Sequence, residues 1–248
     1  MDTEQSQLKN VLQIFDHYII MDDVEVADIS GQSTSIGLAG PEARNVLVRA
    51  GLEVPPLEPL QIADLTSQDS NVTVTRRDNP SVESYELRMA PEKADSLRDA
   101  LIKAGAAPVG THAIELLRIA SGVPQYGKDI RERDLPQETE QAQALHFSKG
   151  CYVGQEIVER IRSRGAVHRR FTGFSIEGEL PSPGSKVFMQ GKDIGEITSV
   201  AALPVAQGEF RAALGYIRRE VGLPGTQVEI GNAEGVVNEL PFAQVFKN

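Results

Sequence analysis

The sequence predicts an α+β fold, with a layered α/β region followed by a small C-terminal β-barrel. Helical segments alternate with strand-like runs over the first part of the chain. After about residue 168 the helical pattern disappears, and six short β runs separated by turn residues follow. We therefore predict two domains, an α/β region over residues 1–167 and a β-barrel domain over residues 168–248.

Five helices are predicted in the α/β region, four of them before residue 121. Apolar residues between Leu8 and Tyr18 recur at helical spacing, and THAIELLRIA (111–120) also looks helical. Two more helices begin at a proline and end at a glycine, over residues 41–51 and 91–105. The strand-like runs of this region are VEVADI (24–29), TSIGLAG (34–40), LQIADLT (60–66), NVTVTR (71–76) and ESYELRM (83–89). Helices accompanying several strands indicate a layer that packs on one face of a sheet.

Short β runs that turn-forming stretches such as PSPGS and GLPGT separate are typical of a small closed barrel or a sandwich. The six runs are RRFTGFSI (169–176), SKVFM (185–189), KDIGEITSV (192–200), FRAALGYIRRE (210–220), TQVEIG (226–231) and EGVVNELPF (234–242).

The composition of the chain argues against binding to nucleic acid or to a membrane. The formal net charge of −10 argues against a general nucleic-acid binder, and the chain has no Trp to stack on bases. No run approaches the roughly 18 apolar residues needed to cross a bilayer, so no membrane partner is expected. The polar, acidic start MDTEQSQLKN is unlike a leader peptide, so we expect a cytoplasmic protein.

Cys151 is the single cysteine of the chain, which excludes an intramolecular disulfide and a metal site built from several cysteines. Lys149 and the start of a helix predicted over residues 155–165 lie beside it, and both features favour the thiolate form. We interpret Cys151 as a reactive or cluster-contacting thiol; the alternative is an inert, buried cysteine. The four histidines lack ligand spacing, so no metal site is expected.

Residues 149–170 form a basic segment, with six Lys or Arg residues against two acids and a local charge of +4. This segment favours an anion site, in which arginines bind carboxylates or phosphates through paired N–H groups. The alternative is a solvated helix face stabilised by pairs such as Glu156–Arg160.

The long loop GVPQYGKDIRERDLPQE (122–138) contains Tyr126, Asp129 and Glu138. An aromatic ring and carboxylates suit the binding of a donor-rich heterocycle. A charged surface loop is the alternative interpretation of the same composition.

The segment KGCYVGQE (149–156) resembles the signature of the YgfZ family, a tetrahydrofolate-binding branch of the aminomethyltransferase superfamily. LLRIASGVPQYGKDI (116–130), LPQE (135–138) and IVERIRSRGAVHRRFTGF (157–174) resemble further family segments in the same order. In the barrel, ALGYIRRE (213–220) also resembles a family pattern. The resemblance implies an aminomethyltransferase-like α/β region and barrel, with a central cleft for tetrahydrofolate or a related folate.

The resemblance also implies functional residues. Glu138 matches the position whose carboxylate meets the pterin edge in the aminomethyltransferases, and a carboxylate suits the paired N–H donors of that edge. Tyr126 is a candidate for stacking on the ligand. From charge alone, we infer that Arg162, Arg164 and Arg170 meet the glutamyl tail of folate. The residues that match the signature are Lys149, Cys151, Tyr152, Gly154, Gln155 and Glu156.

Residues 11–29 resemble a stretch that lies well inside family members. We therefore expect the chain to be a fragment that lacks the N-terminal part of a full-length relative. The missing part would include one wall of the folate cleft and the region in which aminomethyltransferases keep their catalytic Asp.

Three functions are consistent with these patterns. The resemblance implies a tetrahydrofolate-binding accessory protein that supports assembly or repair of iron–sulfur proteins, with its clients or assembly proteins as partners. One cysteine cannot hold a cluster alone, so such a role needs a partner or a dimer. The alternative is a folate-dependent aminomethyl or methyl transferase, although aminomethyltransferases carry a different sequence at the position of KGCYVGQE. A third is a nucleic-acid or protein-binding module that uses the arginine-rich segment.

Overall fold

The computed structural model describes residues 3–21, 23–66, 71–165, 167–206 and 208–246. These fall into two compact units, residues 1–77 with 84–106 and residues 78–83 with 107–248. One unit holds a four-stranded sheet and the other a closed six-stranded barrel, so the predicted fold class is confirmed. The domain boundary between residues 167 and 168 stays a prediction.

The elements of the first unit are helix α1 (Leu8–Tyr18), strand β1 (Thr34–Ala39), helix α2 (Ala43–Arg49), strands β2 (Ile62–Thr66), β3 (Asn71–Arg76) and β4 (Ser84–Met89), and helix α3 (Ala94–Lys103). The strands form an antiparallel sheet whose order is β1-β4-β3-β2.

Alternation along the strands builds the core of this unit. In β4, Tyr85, Leu87 and Met89 are buried and belong to one apolar cluster with Leu47 of α2 and Leu101 of α3. Burying one such side chain contributes roughly 1.5–3 kcal/mol. The sheet face that carries these residues is therefore the face that the helices cover.

The strand predicted over residues 24–29 is not formed. Those residues have no regular secondary structure, and Val24, Val26 and Ile29 are 55%, 44% and 57% exposed. Among the described residues, no strand pairs with this segment. An apolar–polar alternation makes a strand only where a neighbouring strand accepts its hydrogen bonds, so alternation alone led to a wrong prediction.

The elements of the second unit are helices α4 (Thr111–Ala120) and α5 (Gln155–Arg164), strands β5 (Arg169–Glu177), β6 (Lys186–Met189), β7 (Lys192–Val205), β8 (Gly208–Arg218), β9 (Gln227–Ile230) and β10 (Ala233–Asn238), and the short helix α6 (Ala243–Phe246). The six strands close into a barrel whose order is β10-β5-β8-β7-β6-β9. Each of the six predicted runs overlaps one of these strands.

Strand β8 is buried on both faces. Ala213 and Ile217 belong to the cluster that fills the barrel interior. Leu214 and Tyr216, which alternate with them, belong to a second cluster that includes Ile119 of α4. Helix α4 therefore packs on the outer face of the barrel, and the loop after α4 starts from that face.

Two glycines allow β7 and β8 to pair closely. A Cβ atom on Gly215 would collide with the carbonyl oxygen of Glu196 and would lie 2.9 Å from Cα of Ile197. A Cβ atom on Gly195 would collide with the carbonyl oxygen of Tyr216 in the same way. The obstacles are backbone atoms, so no side chain can move aside to make room.

Candidate functional site

Glu138 lies in a single turn of 3-10 helix, Pro136–Thr139, on the long loop that follows α4. Pro136 begins this turn, where its missing N–H costs no hydrogen bond. The Leu135 N–H donates to Oε2 of Glu138 at 3.3 Å, and the Glu138 N–H donates to the Leu135 carbonyl at 2.9 Å. These bonds fix the position of Glu138, which is only 6% exposed.

Arg169, at the start of β5, holds the Glu138 carboxylate. Its Nε and Nη2 lie 2.9 and 2.8 Å from Oε2 of Glu138, and Nη2 lies 2.8 Å from Oδ1 of Asp134. The guanidinium also lies over the ring of Tyr216, 4.8 Å from its centroid. Burial alone would lower the pKa of Arg169, but hydrogen bonds and charges of Glu138 and Asp134 outweigh it and raise that pKa.

The two carboxylate oxygens of Glu138 differ in their surroundings. Within the described part of the chain, every hydrogen bond to this side chain reaches Oε2. Oε1 therefore keeps both lone pairs for a donor from outside the protein. A carboxylate held through one oxygen and free at the other is a preorganised acceptor.

Asp134 connects Arg169 to a second arginine, Arg131. Arg131 donates its backbone N–H at 2.8 Å and its Nε at 3.2 Å to Oδ2 of Asp134. Its Nη1 pairs with Glu196 of β7, which also lies 3.4 Å from Nζ of Lys186. Burial would raise the pKa of Asp134, but hydrogen bonds and charges of Arg131 and Arg169 lower it. This chain of charges ties the loop to the barrel.

Asp129 is fully buried and joins three elements of the unit. Its Oδ2 accepts from Nη1 of Arg118 at 2.6 Å and from the Gln125 N–H at 3.0 Å. Its Oδ1 accepts from the hydroxyl groups of Thr198 at 2.5 Å and Ser199 at 2.7 Å. Arg118 is on α4 and both hydroxyls are on β7, so Asp129 fixes the loop between helix and barrel.

Glu115 supports Arg118 from the same helix. Nε and Nη2 of Arg118 each lie 2.8 Å from a carboxylate oxygen of Glu115, and Nζ of Lys128 lies 3.2 Å away. The hydrogen bonds from Arg118 are the main cause that lowers the pKa of Glu115 to about 2, and the Lys128 charge adds to it against the effect of burial.

Tyr216 brings its hydroxyl group among these charges. Among the described residues, neither this hydroxyl nor Nη2 of Arg131 has a hydrogen-bond partner, although both atoms are buried. Burial raises the pKa of Tyr216, and the charge of Asp134 raises it further. The hydroxyl is thus protonated at neutral pH and is available as a donor.

The loop carboxylates and their arginines form a fixed array of charged hydrogen-bonding groups. Asp129, Asp134 and Glu138 are 0%, 8% and 6% exposed, so the interpretation of this stretch as a charged surface loop is wrong for them. The geometry suits recognition of a polar ligand, because the groups are in place before a ligand arrives.

Tyr126 lies on the same loop but is 43% exposed, and its backbone bridges to Ile130. Its role in stacking on a ligand stays a prediction.

The signature segment lies at the surface just before α5. Cys151 is exposed, so the alternative of a buried cysteine is wrong. Nζ of Lys149 lies 4.4 Å from the ring centroid of Tyr152, and Oε1 of Gln155 accepts from the Tyr152 N–H at 3.3 Å. Gly154 precedes the helix with φ +85°, a conformation that L side chains rarely adopt. A functional role for Cys151, and for Glu156, which is exposed on the first turn of α5, stays a prediction.

A hydrogen bond links helix α5, which follows the signature segment, to the turn that carries Glu138. Nε2 of Gln137 donates to the carbonyl oxygen of Val158, a buried residue of α5, at 3.2 Å. The structure therefore connects the turn that carries Glu138 to the helix that follows the signature segment.

The arginines inferred for the folate tail separate in the structure. Arg162 is exposed, lies over the ring of Phe147 at 4.4 Å and pairs with Glu159 at 3.5 Å. Arg170 lines a cavity of the second unit and donates to the Gly222 carbonyl at 2.5 Å. The side chain of Arg164 lies outside the described part of the chain. Tail binding by these arginines stays a prediction.

Sequence reasoning missed Arg169, Asp134 and Arg118. Arg169 entered only as part of a basic segment, because nothing in that segment shows that its partners lie 31 and 35 residues earlier. The excess of acids in the loop was the one signal for these ion pairs, because carboxylates that become buried require cationic partners. Among the described residues, no group of three or more His, Cys, Asp or Glu side chains could hold a metal ion.

A family model described as the GCVT N-terminal domain matches residues 1–149, more than half of the chain. The chain belongs to this family. A chloroplastic protein from Arabidopsis thaliana is 29% identical over 238 residues, which cover 94% of this chain and 54% of that protein. An aminomethyltransferase from Thermus thermophilus is 31% identical over 230 residues, which cover 88% of this chain and 61% of that protein.

The fold is similar to that of a solved aminomethyltransferase. The crystal structure of the glycine cleavage system aminomethyltransferase T from Bartonella henselae matches 96% of this chain and 67% of its own, with a TM-score of 0.78 and 23% identity. The family model and the relatives named aminomethyltransferase confirm the predicted aminomethyltransferase superfamily, whereas the narrower YgfZ assignment stays a prediction. The chain spans about half to three-fifths of the length of the curated relatives.

None of the helices in the described ranges is long and apolar enough to cross a membrane. A cytoplasmic location stays a prediction, and the relative from Arabidopsis thaliana is named as chloroplastic.

Proposed function

We propose that this protein binds tetrahydrofolate, with Glu138 accepting hydrogen bonds from the pterin, and that it takes part in aminomethyl or methyl transfer. Membership of the GCVT N-terminal domain family and the relatives named aminomethyltransferases support the transfer. The observation that carries the folate proposal is the Glu138 carboxylate, which is fixed through Oε2 and has Oε1 free.

The residues around Glu138 fit a pterin. The amino and ring N–H groups of a pterin are neighbouring donors, and Oε1 has two lone pairs with which to accept them. Arg169 keeps the carboxylate oriented, so little side-chain entropy is lost when the ligand binds. Tetrahydrofolate would supply the nitrogen atoms that carry the one-carbon unit, and the protein would bind and orient it.

Calorimetric titration with tetrahydrofolate tests this proposal. Glu138→Gln keeps the size of the side chain but removes its charge, and hydrogen bonds to charged groups are worth about 1.5–3 kcal/mol. We therefore expect affinity to fall about 10- to 100-fold. Glu132→Gln is the matched control, because Glu132 is an exposed acid of the same loop. Equal affinity of the two variants would contradict the assignment of Glu138.

A second candidate, an accessory role in assembly or repair of iron–sulfur proteins, is favoured by one observation. Cys151 is exposed within KGCYVGQE, where a client or assembly protein could reach it. Clusters normally take four thiolates, so Cys151 would act together with ligands on the partner.

Two assays separate the candidates. If the protein transfers an aminomethyl group, it should turn over tetrahydrofolate and an aminomethyl donor. This turnover should persist in the Cys151→Ser variant. The accessory role predicts no turnover, and a Cys151-dependent gain in the activity of an iron–sulfur enzyme added to the assay. Robust transfer by the Cys151→Ser variant would dismiss the accessory role.

A further inference from the structure

The barrel carries a groove of about 460 Å³ that the folate proposal does not use. Residues of β5, β6, β9 and β10 line it. Phe188, Met189 and Val236 contribute half-buried apolar side chains to this lining. No helix of the described ranges contributes to it, so the groove is formed by a sheet face without a covering helix.

The strand register places three glutamates side by side in the groove. Glu234 of β10 is directly opposite Glu177 of β5 on one side and Glu229 of β9 on the other. Phe188 of β6 is directly opposite Glu229 and continues the same row. Neighbouring strands lie about 4.8 Å apart, so the row of three glutamates spans about 10 Å. All three side chains are exposed and line the groove.

These three carboxylates lack cationic partners. Within the described part of the chain, Glu177, Glu229 and Glu234 have no ion pair and no side-chain hydrogen bond. The other three acids on the barrel strands are paired, Asp193 and Glu196 with Lys186 at 3.6 and 3.4 Å and Glu209 with Arg211 at 3.0 Å. Like charges directly opposite each other destabilise a sheet, so a cation from outside the chain would relieve a repulsion that the barrel itself leaves uncompensated.

We propose that this groove is a docking surface for a basic amphipathic helix of a partner protein. Basic residues four apart on a helix lie about 5–6 Å from each other, which is close to the spacing of the glutamate row. Arginines or lysines of the partner therefore pair with the carboxylates, and an apolar residue on the same helix face packs on Phe188 and Val236. The ring of Phe188 also favours a neighbouring arginine.

The overall charge of the chain agrees with a basic partner. The formal net charge of −10 favours the approach of a cationic protein and disfavours a second copy of this chain as the occupant. The carboxylate row likewise disfavours an anionic partner such as a nucleic acid. The proposal does not depend on folate binding.

Titration calorimetry at low ionic strength with four probes tests the proposal. The first probe is an alanine-based helical peptide with three arginines, each four residues from the next, and one leucine on the same face. In the second, neutral citrulline replaces each arginine; in the third, alanine replaces the leucine; the fourth is spermidine, which carries cations without an apolar side chain. We expect the arginine peptide to bind, the citrulline peptide to bind at least about tenfold more weakly, and the other two about fivefold more weakly.

Glu234→Gln assigns the docking site, because Glu234 is the central carboxylate of the row. This variant should weaken the arginine peptide about fivefold and leave the citrulline peptide unchanged. Glu220→Gln, which removes an exposed acid just after β8, is the matched control for net charge and should change nothing. Glu234 is exposed and without a partner in the described part of the chain, so its replacement leaves the fold intact.

Four results would overturn the proposal. One is the absence of binding of the arginine peptide to the folded wild type. Another is equally tight binding of the citrulline peptide. Spermidine binding as tight as that of the arginine peptide would indicate a site for small organic cations instead. The fourth is equal affinity of the arginine peptide for Glu234→Gln and Glu220→Gln, which would indicate attraction to net charge alone.

Discussion

Replacement of Asp129 by alanine tests whether the buried charges hold the long loop on the barrel. Asp129 accepts four hydrogen bonds, from Arg118, Gln125, Thr198 and Ser199. Removing one partner of a buried ion pair costs about 3–5 kcal/mol, because the other charge stays buried without compensation. Arg118 keeps its bonds to Glu115, so we expect about 4 kcal/mol rather than the upper limit.

Urea unfolding followed by far-ultraviolet circular dichroism measures this loss. With a denaturant slope of about 3 kcal/mol per molar, a loss of about 4 kcal/mol lowers the midpoint by about 1.3 M. Glu209→Gln is the control, because Glu209 forms an exposed pair with Arg211 worth at most about 1 kcal/mol. A loss below about 1 kcal/mol for Asp129→Ala, or equal losses for both variants, would refute the reasoning.

Three further outcomes are expected. The pKa of Glu115 is lowered from 4.5 to about 2, so its contribution to stability is complete above pH 4.5 and is lost as the pH falls towards 2. The urea midpoint measured at decreasing pH should therefore fall over this range, and the fall should be smaller in Glu115→Gln. Gly215→Ala should destabilise the barrel by about 1–3 kcal/mol in thermal unfolding, whereas Gly150→Ala, with no atom within 4 Å of the added Cβ, should not. Cys151 should react with a thiol reagent in the native protein as fast as after unfolding, because it is exposed; slow native labelling would contradict that.

Local patterns predicted much of the fold. Helices α1 and α4 begin and end at the predicted residues, because apolar spacing within one helix depends on neighbours in the sequence. Each barrel strand was predicted for a similar reason, since turn residues mark where it ends. The strand predicted over residues 24–29 was wrong, because strand pairing depends on a distant partner that the local sequence does not contain.

The candidate site was predictable only in part. Glu138 could be named from the resemblance of LPQE, and the structure shows how its carboxylate is held. The ion pairs of Arg169 with Glu138 and Asp134 join residues far apart in the sequence, so no spacing rule reveals them.

Calorimetric titration of tetrahydrofolate into the wild-type chain, Glu138→Gln and Glu132→Gln tests the central claim most directly. Each variant removes one negative charge from the same loop, so a difference between them reports on the position of Glu138 and not on net charge. The account predicts binding by the wild type and Glu132→Gln, with affinity about 10- to 100-fold lower for Glu138→Gln. Folate binding that is equal in all three proteins, or absent from the folded wild type, would contradict it.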